Sequence, residues 1–168
     1  DGRIEGFATY MTGELFAVLR GHSILGRLAD ATSPIGTVAG PAFLRGARVA
    51  SRATTSGLAS LLFSARSAVL VGDLPAADSL DYLSGLLIGD EIRSGLAKGD
   101  RPRAIVGEPA LGERYMAALR EFNVHDVELL GDTSAAGLWQ IGRHAVPALQ
   151  RGEPSSRRPV SGRADLLG

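Results

Sequence analysis

The chain has no cysteine, one lysine (Lys98), one tryptophan (Trp139) and no excess of either charge. Without cysteine there is neither a disulfide framework nor a thiolate metal site, as expected in a reducing cytoplasm. Eighteen basic and eighteen acidic residues, with a pI near 7.0, leave no general attraction to nucleic acid or to an anionic membrane surface. The longest apolar run, around Leu86-Leu87-Ile88, is far short of the roughly 20 residues a membrane span needs, and Asp81, Asp90 and Glu91 flank it. His22, His125 and His144 lie far apart in sequence and point to no metal. No leader-like segment precedes the first expected strand, so a soluble cytoplasmic protein is the expectation. What is present is a 168-residue chain, 45% hydrophobic, which is enough for one domain with a core.

The stretch from Tyr10 to Arg27 combines a helix start, an apolar face and uncommitted polar groups, so the rest of the chain is expected to be organised around it. Thr12 is placed to cap the helix, Glu14 suits the positive end of its dipole, and Met11, Leu15, Val18 and Leu19 share one face. Gly21 is expected to end the helix through a positive φ, with His22 and Ser23 on the exit turn. Thr12, Gly13, Glu14, His22 and Ser23 are therefore candidate ligand-cleft residues. Capping and first-turn electrostatics account for Thr12 and Glu14 equally well.

Before this stretch, Arg3 to Tyr10 alternates loosely and reads as a strand. After it, 28–41 reads as a surface loop, and Ala42 to Ala53 as an amphipathic helix with Phe43, Leu44, Ala47 and Ala50 inward and its arginines solvated. Leu58 to Val69 reads as a second helix whose Arg66 either reaches a carboxylate or phosphate or, as the favoured reading, pairs structurally with an acid such as Asp73. The spacing then predicts a long helix from about Ala76 to Leu96, apolar nearly all round, with Gly85 and Gly89 leaving a face for close approach.

Ala104-Ile105-Val106-Gly107-Glu108-Pro109-Ala110 reads as strand, glycine turn and helix start, Pro109 suiting the first helical position. Backbone N–H groups at such a start can face a ligand, although every α/β protein has joints of this kind. A helix with a stripe of Leu111, Tyr115, Ala118 and Phe122 follows, then a strand over Val127 to Leu130, which together suggest a parallel pair. Thr133 opens a last helix in which Trp139 is expected to plug the core. Arg151 to Gly168, rich in Arg, Pro, Ser and Gly, is expected to be disordered.

The run Met11-Thr12-Gly13-Glu14-Leu15-Phe16-Ala17-Val18-Leu19-Arg20-Gly21-His22-Ser23-Ile24-Leu25-Gly26-Arg27 resembles the corresponding run of the 2-dehydro-3-deoxygalactonokinases, sugar-acid kinases of the actin-like ATPase superfamily. Leu61 to Arg66, Asp81 to Gly89 and Val106 to Leu111 agree with it, and the resemblance covers about residues 1–142. It implies an α/β fold: the second lobe of an actin-like (ribonuclease H-like) sugar kinase, helix-rich with a small mixed sheet, apparently lacking its first strand. The lobe would span 1–146 and the tail 147–168.

The implied activity is ATP-dependent phosphorylation of 2-dehydro-3-deoxy-D-galactonate to its 6-phosphate, with Mg²⁺ as helper ion. Gly107, Glu108, Pro109, Ala110 and Asp132 then become candidates for the nucleoside end of ATP, although the family's paired glycines are reduced here to one. Thr12, Gly13, Glu14, His22 and Ser23 become candidates for the sugar-acid cleft. The family's phosphate cradle and acidic residues would precede residue 1, so no catalytic or metal-binding residue is expected in this chain. Its partners would be the sugar acid, ATP and the missing N-terminal lobe. A truncated, inactive binding or interaction module is the alternative, and an exposed sheet edge could pair two copies into a homodimer.

Overall fold

The computed structural model describes residues 6–29, 36, 38–54, 57–99, 101–131, 133 and 135–142. They fall into two units, one ending at Gly131 and one beginning at residue 132. In the first, four helices precede a strand–helix–strand segment: α1 (Thr12–His22), α2 (Pro41–Arg52), α3 (Leu58–Leu70), α4 (Ser79–Ala97), β1 (Ala104–Val106), α5 (Pro109–Arg120) and β2 (Glu128–Leu130). Short 3₁₀ turns at Gly26–Leu28 and Ala76–Asp78 lead away from α1 and into α4. The second unit contributes a helix over 135–142, which by itself leaves Leu138, Trp139 and Ile141 exposed rather than plugging a core. The expected disordered tail lies outside the described residues.

The organising element is α4, not the Tyr10–Arg27 stretch. Helix α1 buries none of its residues completely, and Met11 and Val18 on its expected inner face are largely exposed. Only Leu15, Phe16 and Leu19 rest against the core, in a cluster with Leu25, Leu80, Leu83 and Leu87. Helix α4 instead feeds all three apolar clusters, because its sequence is apolar on every side. Tyr82 and Leu86 meet Leu61, Ala65, Ala68 and Leu74, while Ile88 and Ile92 meet Phe43, Ala47, Ala118 and Leu119.

The tightest contact is the crossing of α2 and α4, and it depends on glycine. A Cβ added at Gly46 would lie 2.2 Å from the Tyr82 carbonyl oxygen, and one at Gly85 would lie 2.0 Å from that of Phe43. Gly89 continues this face, with Ala50 Cβ 2.7 Å from where its own Cβ would be. Pro41 fixes φ at the first turn of α2, where its missing N–H removes no helical bond.

Buried Arg114 on α5 joins this pair to its surroundings. Both of its terminal nitrogens donate to Asp81 Oδ1 at 3.0 Å, and Nη1 also donates to the carbonyls of Gly36 and Val38. Its guanidinium lies over the Phe43 ring, 4.2 Å from the centroid. The sequence points to Arg66 as the cation needing Asp73; the structure gives Asp73 to Arg45, with which it pairs. Arg48 makes a two-pronged pair with Glu121, at 2.8 and 2.9 Å.

The sheet has two parallel strands in the order β1–β2, with Ala104 opposite Glu128, Ile105 opposite Leu129 and Val106 opposite Leu130. It is parallel rather than mixed among the described residues. Residues 1–5 of the expected first strand lie outside the described residues, and 6–10 form no strand. Among the described residues no helix is long and apolar enough to cross a membrane.

Candidate functional site

The polar group at the start of α1 does not act as a cap. Met11 stands at the N-cap and makes no side-chain capping bond, and Thr12 Oγ1 donates to Glu91 Oε2 on α4 at 2.5 Å. Thr12 lies inside the first turn, so its hydroxyl is aimed across to the neighbouring helix. The same Glu91 oxygen accepts from the Tyr115 hydroxyl of α5 at 2.8 Å. Burial and the Glu91 carboxylate both raise the Tyr115 pKa, burial having the greater effect, so the phenol stays protonated. One carboxylate thus ties three helices together.

Glu91 and Tyr115 border a cavity of about 380 Å³, whose other walls include Tyr10, Ile92, Leu96, Ile105 and Leu119. Tyr115 and Ile105 also line a second cavity of about 310 Å³ at the β1–α5 joint, with Gly107, Glu108, Leu111 and Gly112. Gly107 has φ +154°, which a side chain would rarely adopt, and open space lies beside it. Gly112 is closed in on one side, since a Cβ there would fall 2.3 Å from a Leu129 methyl.

The helix start at this joint is already satisfied. Glu108 caps α5, its two carboxylate oxygens accepting from Ala110 N at 3.1 Å and Leu111 N at 2.8 Å. A carboxylate in that place uses the N–H groups and repels a second anion. The joint therefore suits an uncharged part of a ligand: apolar Ile105 and Leu111 on the walls, and a carboxylate able to accept from hydroxyl or amino groups. Asp132 lies outside the described residues.

The five expected cleft residues are not brought together. Gly13 and Glu14 are exposed beside Thr12, whereas exposed His22 lies at the far end of an 11-residue helix, about 15 Å away at 1.5 Å per residue. Ser23 is used locally, donating to Leu19 O at 2.5 Å and accepting from Leu25 N at 3.1 Å. The helix runs through Gly21, which has no positive φ, and this bonding at Ser23 closes it. The two ends cannot contact one small sugar acid together. Among the described residues, no group of three or more His, Asp or Glu gathers as a metal site.

Glu91 and Tyr115 are the site residues that sequence reasoning missed. Glu91 reads as an acid flanking an apolar run and Tyr115 as one of a core stripe. The available signal was weak: a carboxylate one position before the buried Ile92, and a hydroxyl within an apolar stripe that would need a partner if buried.

The described residues form a helix-rich α/β fold with a parallel strand–helix–strand joint, which the two cavities border. Residues 1–141 match the family model described as 2-keto-3-deoxy-galactonokinase. A Rhizobium meliloti protein named as a probable 2-dehydro-3-deoxygalactonokinase is 38% identical over 152 residues, covering 88% of this chain and 48% of its own length. The 2-dehydro-3-deoxygalactonokinase of Escherichia coli is 33% identical, with 86% and 48% covered. A crystal structure of a candidate 2-dehydro-3-deoxygalactonokinase from Sinorhizobium meliloti superposes with a TM-score of 0.75 at 32% identity, covering 86% of this chain and 48% of that one. The chain belongs to the 2-keto-3-deoxy-galactonokinase family, and it spans about half the length of the relatives it matches.

Proposed function

We propose that this chain is the second lobe of an actin-like sugar-acid kinase. The kinase transfers a phosphoryl group from ATP to 2-dehydro-3-deoxy-D-galactonate, forming the 6-phosphate during galactonate breakdown in the cytoplasm. The observation that carries this reading is the family match over residues 1–141, joined to coverage of about half of each relative.

In this reading the joint at Gly107, Glu108, Pro109 and Ala110 receives the nucleoside end of ATP. Apolar walls take the base, and the Glu108 carboxylate accepts from ribose hydroxyls while continuing to cap α5. The phosphates point away from that carboxylate, toward the other half of the kinase, because like charges repel. Thr12, Gly13 and Glu14 face the sugar-acid side of the cleft. Phosphoryl transfer also requires a phosphate cradle, a metal site and a base aligned with the attacking hydroxyl, all of which the other half would supply. The residues of this chain bind and orient the substrates.

Calorimetric titration of the chain with ATP, beside its Leu111→Trp variant, tests the nucleotide assignment. Saturable binding that the added indole weakens at least tenfold in folded protein supports it; absent binding, or binding the indole leaves unchanged, overturns it. A protein carrying both halves that binds ATP yet transfers no phosphate to any 2-keto-3-deoxy sugar acid would overturn the activity.

A further inference from the structure

The bond pattern at Glu91 joins two places that nothing in the sequence connects. Thr12 opens the helix carrying the proposed sugar-acid residues, and Tyr115 forms a wall of the cavity at Gly107. Their hydroxyls donate to the same oxygen, Glu91 Oε2, at 2.5 and 2.8 Å. Removing either donor changes the field and the space in which the other sits, and hydrogen-bond networks in a partly buried setting polarise one another. The Tyr115 ring is anchored at its hydroxyl end by this bond, so a shift of Glu91 is passed to the ring.

We propose that Glu91 is a positioning residue that couples the start of α1 to the ligand cavity at the β1–α5 joint through Thr12 and Tyr115. Identifying the ligand as a nucleotide rests on the function proposed above; the mechanical coupling does not. A change at Thr12, remote from the cavity, is transmitted to Gly107 and Gly112 by the Tyr115 ring. Gly112 precedes Tyr115 by three residues and lies on the same helical face, so its amide senses any movement of the ring.

The test compares Thr12→Val, which keeps the shape and removes the hydroxyl, with Thr12→Ser, which keeps the hydroxyl. In amide NMR spectra of the chain, Thr12→Val should shift the Gly107 and Gly112 resonances, and Thr12→Ser should leave them near their wild-type positions. Gly107 and Gly112 resonances that stay in place in folded Thr12→Val overturn the coupling. If Thr12→Val fails to fold, Tyr115→Phe reads the relay from its other end: the Thr12 and Gly13 amides should shift, and their constancy overturns the proposal.

Where wild-type chain binds ATP, Thr12→Val should raise the ATP dissociation constant about three- to tenfold, the scale of one hydrogen bond, and Thr12→Ser should not. The Thr12→Val and Tyr115→Phe effects on ATP affinity should fall short of additivity, since both act on one oxygen. Full additivity would overturn the shared relay. NMR shifts in Thr12→Val together with no ATP binding by the wild-type chain would refute the nucleotide reading and leave the coupling standing.

Discussion

Replacing Gly85 by alanine sets local propensity directly against packing. Gly85 lies inside the 19-residue helix α4, where alanine is the better helix former by about 1 kcal/mol. On that ground alone the substitution should stabilise the protein. The structure requires the opposite, because the new Cβ would sit 2.0 Å from the Phe43 carbonyl oxygen and 3.0 Å from Ala47 N.

A carbon–oxygen contact relaxes at about 3.3 Å, so the backbones of α2 and α4 would have to part by roughly 1 Å. That separation opens a seam where Phe43, Ala47, Ala50 and Leu86 are wholly buried, and interiors packed at crystal-like density do not refill such gaps. Overpacking commonly costs about 1–3 kcal/mol, and backbone against backbone belongs at or above the top of that range. After the propensity gain, a net loss of about 2 kcal/mol or more is expected.

Urea unfolding followed by circular dichroism measures it, with Gly21→Ala as the control. Gly21 lies in α1 with nothing within 4 Å of its added Cβ, so there the same chemical change should stabilise by about 0.5–1 kcal/mol. A Gly85→Ala protein as stable as wild type would refute the packing account of the α2–α4 crossing.

Four further outcomes follow from buried and capping groups. Asp81→Ala leaves the Arg114 guanidinium buried without its carboxylate, and urea unfolding should show a loss of about 3 kcal/mol or more. Arg114→Lys should recover only part of the native value, since an ammonium cannot reproduce the planar guanidinium over Phe43. Glu108→Ala should cost about 1 kcal/mol by uncapping α5, which thermal unfolding will register. Because the Tyr115 pKa is raised in the folded state, its phenol holds its proton more tightly there than in the unfolded chain. Its contribution to stability is complete below about pH 10 and declines as pH rises further; Tyr115→Phe should remove that part of the decline in urea melts from pH 8 to 11.

The sequence by itself determined the elements whose cause is local. Helical spacing located α2 and, with the Pro109 start, α5, the all-round apolar run located α4, and the strand–glycine–helix joint at Gly107 was legible because each piece carries its own signal. The close approach at Gly85 and Gly89 was legible for the same reason: two glycines four apart in an apolar helix have few other uses. Tertiary structure alone decided where the polar side chains are directed. Thr12 has the chemistry of a cap and reaches Glu91 instead, 79 positions away in sequence. Asp73 pairs with Arg45 rather than Arg66, and Glu108 turns back onto the N–H groups of its own helix. Tyr10 to Arg27 looked central because amphipathic spacing shows that a face exists but not how much protein covers it. Which helix lies in the middle, and which carboxylate two hydroxyls share, depend on how the helices cross, and that geometry arises only once the chain is packed.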